Sequence, residues 1–75
     1  MKTEQISIYP PFIKLDQLLK FAGATGTGGE AKEFIEENEV FVNGEICKQR
    51  GKKIKPGDVV ELPGHRLEVI ERADS

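Results

Sequence analysis

The 75-residue sequence predicts an α+β fold in which two helices combine with a small sheet of four to five strands. Three observations carry that prediction: two stretches whose apolar residues recur at helical spacing, an Asn43-Gly44 turn between two alternating segments, and two Pro-Gly turns that each precede a short apolar run. A chain this short supports one domain, residues 1–75, because it buries only about 60% of the surface its unfolded form exposes.

Residues 5–9 alternate, with Ile6 and Ile8 on one face and Ser7 on the other, and Pro10-Pro11 ends the run. This is an edge strand. From Leu15 the spacing becomes helical: Leu15, Leu18, Leu19 and Ala22 share a face, and Gly23 is placed to stop the helix. Residues 23–29 are too rich in glycine for regular structure and form the loop between the helices. Thr27 followed by Glu30 matches a capping box, so a second helix starts near Gly28 and runs to about Asn38. Ala31, Phe34 and Ile35 are its apolar stripe, and Glu33, Glu36 and Glu37 its solvated side.

Residues 40–42 and 45–47 flank Asn43-Gly44, whose residue types suit the positive φ angles of a type I′ hairpin turn. Pro56-Gly57 and Pro63-Gly64 suit type II turns ahead of strands at residues 59–62 and 67–70. Residues 48–55 are read as a loop, and the chain is expected to fray from Ala73.

Hydrophobic residues make up 37% of the chain and charged ones 32%, the balance of a soluble globular domain. No apolar run approaches the ~20 residues of a membrane span, and the first ten residues lack the pattern of a signal peptide, so the expected location is cytoplasmic. Cys47 and His65, the single cysteine and single histidine, leave no internal disulfide and no zinc set. No acid/base or nucleophile pair stands out, and an enclosed pocket of about 300 Å³ would compete with the core. Neither an enzyme nor a cofactor is expected.

The net charge of −2 hides a segregated distribution. Between Glu45 and Asp58 there is no acidic residue, while Lys48, Arg50, Lys52, Lys53 and Lys55 supply five of the eleven basic residues. The acids gather at Glu30, Glu33, Glu36, Glu37 and Glu39. Charges beyond a Debye length of about 8 Å are screened, so a polyanion responds to the local patch rather than the sum. Basic side chains along one segment neutralise phosphates and release counterions, which points to nucleic acid; a merely solvated loop is the plain alternative.

Lys14-Leu15-Asp16, residues 28–32, the run Val40-Phe41-Val42-Asn43-Gly44-Glu45, Arg50-Gly51-Lys52-Lys53-Ile54 and Pro56-Gly57-Asp58-Val59-Val60 together resemble the S-four domain, the αL RNA-binding module named after ribosomal protein S-four. The likeness covers residues 14–62 and is strongest to the stand-alone bacterial proteins of the YaaA and YbcJ type. It implies two N-terminal helices packed on a curled antiparallel sheet, with RNA along the helix pair and the basic loop. Lys14 stands where many members carry arginine, and Gly28 where many carry the arginine of a Ser-Arg pair; Lys32, one turn on, partly substitutes. The expected partner is structured RNA, ribosomal RNA above all, in the ribosomal subunit or its assembly intermediates.

The candidate RNA-binding set is thus Lys14, Thr27, Gly28, Gly29, Lys32, Lys48, Arg50, Lys52, Lys53 and Lys55. Thr27, Gly28 and Gly29 enter because free backbone N–H groups at a helix start attract phosphate, with a plain capped turn as the alternative. Phe12 and Phe34 are assigned to the core, whereas Phe21 and Phe41 lie off the main stripes and are open to base stacking. Two other classes compete. The segments around Asn43-Gly44 and Pro56-Gly57 also resemble β-grasp interaction or carrier modules, but these end in Gly-Gly and this sequence ends Ala73-Asp74-Ser75. S-four domains also precede pseudouridine synthase domains, and nothing in these residues supplies that chemistry.

Overall fold

The computed structural model describes residues 2–72, so the expected fraying from Ala73 lies outside the described residues. The elements run β1 (Lys2–Ile8), β2 (Ile13–Lys14), α1 (Leu15–Phe21), α2 (Gly28–Glu37), β3 (Phe41–Val42), β4 (Glu45–Ile46), β5 (Lys53–Ile54), β6 (Val59–Leu62) and β7 (His65–Glu71). Five strands form one sheet in the order β1-β7-β6-β3-β4, and β2 pairs with β5 in a separate two-stranded ribbon.

Three expectations of architecture are corrected. The sheet is mixed rather than antiparallel, because β1 enters its edge parallel to β7, with Ile6 opposite Val69 and Ile8 opposite Glu71. The helices follow β1 and β2 instead of opening the fold. Parallel pairing needs a long crossover between its strands, and the two helices, the β3–β4 hairpin and the short strands between β1 and β7 supply it. Residues 48–55 are also not wholly a loop: Ile54 pairs with Ile13 and Lys53 with Lys14. Two-residue strands carry no periodicity, so tertiary pairing alone creates them.

The core lies between the helices and one face of the sheet. Leu15, Leu18 and Leu19 from α1, Ala31 and Ile35 from α2, and Val40, Ile54 and Val60 are fully buried, joined by Ile6, Ile8, Val42, Leu62, Leu67 and Val69. Alternation along β6 and β7 sends Val60, Leu62, Leu67 and Val69 inward and leaves Val59, Glu61 and Glu68 half-buried on the other face. Phe12 departs from its core assignment and is 38% exposed, because it follows Pro10-Pro11 ahead of β2 and belongs to no helical stripe. Phe34 packs partly buried against the core.

Local chemistry sets the element ends. Gly23 takes φ 79°, its N–H donates to Lys20 O and the Ala24 N–H to Leu19 O, the paired bonds of a Schellman stop. At the start of α2 the Thr27 hydroxyl accepts the Glu30 N–H at 3.1 Å, while the Glu30 carboxylate accepts the Gly26 N–H at 2.9 Å, one residue earlier than a standard capping box. Asn43 and Gly44 have φ of 53° and 83°, as a type I′ turn requires.

Candidate nucleic-acid interface

The basic segment is held against the start of α1. The first N–H groups of a helix lack partners within it, and here the Leu15 N–H donates to Lys52 O at 2.9 Å and the Asp16 N–H to Arg50 O at 3.0 Å. A tight turn, closed by Lys52 N–H to Gln49 O at 3.2 Å, carries Arg50 at its tip. Ile54 then drops fully into the core. Side chains alternate along a strand, so burying Ile54 turns Lys53 and Lys55 outward. Sequence patterning marks the charges but not this anchoring, for which the single signal is one apolar residue, Ile54, between lysines.

These groups surround an open concavity of about 630 Å³ between the β3–β4 hairpin and β5, lined in part by Lys48, Lys52, Lys53 and Lys55, with Ile46 exposed beside them. Lys14 stands opposite Lys53 in the ribbon and is exposed. The fold thus gathers Lys52, Lys53 and Lys55 with Lys14 next to them and Arg50 at the adjoining turn. Lys32 is exposed on α2, and Thr27, Gly28 and Gly29 open that helix; none of these four lines the concavity. The Glu30 carboxylate already occupies the Gly26 N–H, which sets a negative charge at the helix start, where the sequence reading puts phosphate.

Lys48 has an internal task. Its ammonium donates to Asn38 O at 2.8 Å, Ile35 O at 3.3 Å and Glu36 O at 3.4 Å, the carbonyls that end α2. That helix has no basic residue in its own last turn. Lys48 therefore supplies from a distant segment the cation that a helix C-terminus favours. Among the described residues the ion pairs are Lys2–Glu4, Lys55–Asp58 and Arg66–Glu68, so neither Lys14, Lys32, Arg50, Lys52 nor Lys53 is neutralised by one. Lys55 is, at 3.5 Å from Asp58, although its side chain stays 70% exposed.

Asp58 ties the concavity's rim together. Its carboxylate is buried and accepts the Lys55 N–H at 2.9 Å and the Asn43 side-chain amide at 3.0 Å, while the Asn43 amide oxygen accepts the Val59 N–H at 2.9 Å. Burial pushes this carboxyl upward, but the Lys55 N–H, the Asn43 amide and the Lys55 ammonium outweigh it and hold it below the usual aspartate value. Asn43, chosen by the hairpin for its backbone, thereby also fixes the neighbouring turn. Nothing in the sequence pattern singles out Asp58 as buried.

With this arrangement in view, comparison with known proteins is decisive. The S4 domain family matches residues 6–70. The chain belongs to the S4 domain family. Among relatives of this S4 domain is RlbA of Bacillus subtilis, named as a probable ribosome maturation protein, 49% identical over 59 residues that cover 79% of this chain and 83% of RlbA. YbcJ of Escherichia coli, whose name assigns it provisionally to RNA binding, is 35% identical over 80% of this chain and 86% of its own. The small ribosomal subunit protein uS4 of Coxiella burnetii matches at 33% over 65% of this chain but only 24% of its own length. The matched segment thus spans most of the first two relatives and a part of the third, and the β-grasp likeness is local to two turns. No helix among the described residues is long and apolar enough to cross a membrane, and none of their His, Cys, Asp and Glu side chains form a metal-holding group.

Proposed function

We propose that this S4 domain binds structured RNA in the cytoplasm, and specifically ribosomal RNA during subunit assembly, by reading phosphate positions and shape rather than by catalysis. The observation that carries the reading is the anchored basic segment. Arg50, Lys52 and Lys53 are presented by a backbone bonded to the start of α1 and nailed down by Ile54, so the chain that carries them is in place before any ligand arrives. Ordering a flexible loop on binding would subtract from affinity; this segment avoids that cost. Lys14 extends the surface and Lys55 joins it by exchanging Asp58 for phosphate, while Thr27, Gly28, Gly29 and Lys32 act at its margin and Lys48 contributes through the position of its backbone. The name of YbcJ supports RNA as the partner, and those of RlbA and uS4 support the ribosome as its setting.

Titration against a structured ribosomal RNA fragment at several salt concentrations tests this. Removing one phosphate-neutralising cation flattens the slope of log K against log salt by about 0.7 for single strands, so Lys52→Ala/Lys53→Ala should lower it by about 1.4. Unchanged affinity in that variant, or affinity independent of salt, would refute the assignment.

A further inference from the structure

Beside Lys53, whose ammonium lies over the Phe12 ring, is a second cleft, of about 230 Å³, walled chiefly by Tyr9, Phe12, Ile13, Phe21 and Arg72. It is smaller than the roughly 300–1,000 Å³ of small-molecule pockets. Its aromatic side chains are unusually bare: Phe21 is 63% exposed, Tyr9 57% and Phe12 38%. These are three of the chain's five aromatic residues, placed on the surface of a domain whose small core has use for every one. Cations border the cleft at two places. Lys53 Nζ lies 5.0 Å from the Phe12 ring centre and the Arg72 guanidinium 5.1 Å from that of Tyr9.

We propose that Tyr9, Phe12 and Phe21 form a stacking site for one unpaired nucleobase, with the adjoining phosphate on Lys53. The inference rests on the RNA reading above and adds a site to it. Lys53 links the two surfaces, since it lines the basic concavity and also sits over Phe12. A strand following the basic groove therefore passes the mouth of the cleft. A nucleobase offers a flat π-face within a few bonds of a negative charge, which matches aromatic rings flanked by cations. A purely apolar partner segment would bring no anion to the Lys53 ammonium.

Tyr9 is the only tyrosine and the chain has no tryptophan, so tyrosine emission reports on this cleft alone. The probes are an RNA hairpin with an unpaired adenosine loop and the same hairpin with abasic sugars in that loop, which keeps every phosphate. The adenosine loop should quench Tyr9 and bind about tenfold tighter than the abasic one, within the range for stacking a single base. Phe21→Leu, which keeps an apolar side chain at an exposed position, should remove that preference. Lys52→Ala should weaken both hairpins alike. Equal, salt-dependent binding of the two hairpins without quenching overturns the stacking site and leaves the RNA reading intact. Failure of the unaltered protein to bind either hairpin overturns both. Self-association abolished by Phe21→Leu assigns the cleft to a second copy of the chain and likewise overturns the proposal.

Discussion

Lys48 shows how a charge in a basic run divides its labour from its neighbours. Because its ammonium is spent on three carbonyls at the end of α2, Lys48→Met should lower stability by about 1 kcal/mol, read as a shift in urea midpoint. The same variant should leave the salt slope of RNA binding unchanged, which separates it from Lys52. Asp58 is a residue whose protonation bears on folding. Its carboxyl titrates lower in the folded chain than unfolded, so its stabilising contribution is complete above the unfolded value of about 3.9 and disappears as pH falls through the folded value. Asp58→Asn should therefore be less stable at pH 7 and should show a shallower loss of stability below about pH 4, measured by thermal melts across pH. An amide there also turns an N–H toward one of the donors that the carboxylate now accepts.

The start of α2 offers a test by gain. A side chain built at Gly28 meets nothing within 4 Å and its backbone needs no positive φ, so Gly28→Arg fits without rearrangement. It supplies the arginine that the family resemblance implies at this position, and should raise RNA affinity and steepen the salt slope by about 0.7, read in the same titration. Most elements were legible because each carries its own local signal: the Leu15, Leu18, Leu19 stripe, the Gly23 stop, the Thr27 cap, and the Asn43-Gly44 turn all hold in the fold. The ribbon of β2 and β5 was not, since two residues per strand show no period and the pairing joins Ile13 to Ile54 across α1, α2 and the hairpin. Of the candidate site, the run of cations without an acid between Glu45 and Asp58 is plain in the sequence. Their separation into Lys48 at a helix end, Lys55 on Asp58 and Lys53 over Phe12 was not, because it depends on which groups the fold brings alongside.

At the scale of the whole molecule, a net charge of −2 coexists with a basic patch because Glu30, Glu33, Glu36 and Glu37 lie exposed on α2, whereas the run of cations lies around β5 and the start of α1. On the proposed reading these acids hold RNA off the outer side of α2 and leave only its start and Lys32 at the margin of the contact. Charge reversal at Glu33 and Glu36 to lysine should accelerate association with RNA at low salt while blurring discrimination between RNA structures, measured by stopped-flow mixing with matched and scrambled hairpins. The parallel seam between β1 and β7 acts on another axis, that of time. Lys2 lies beside His65 and Ile8 beside Glu71, so β1, made ahead of both helices, waits for β7, which is made after them. Helices and hairpins joined by near neighbours assemble early, and distant pairings late. The basic segment, with every residue that anchors it already synthesised, can therefore take shape on a nascent chain whose sheet is still open at one edge.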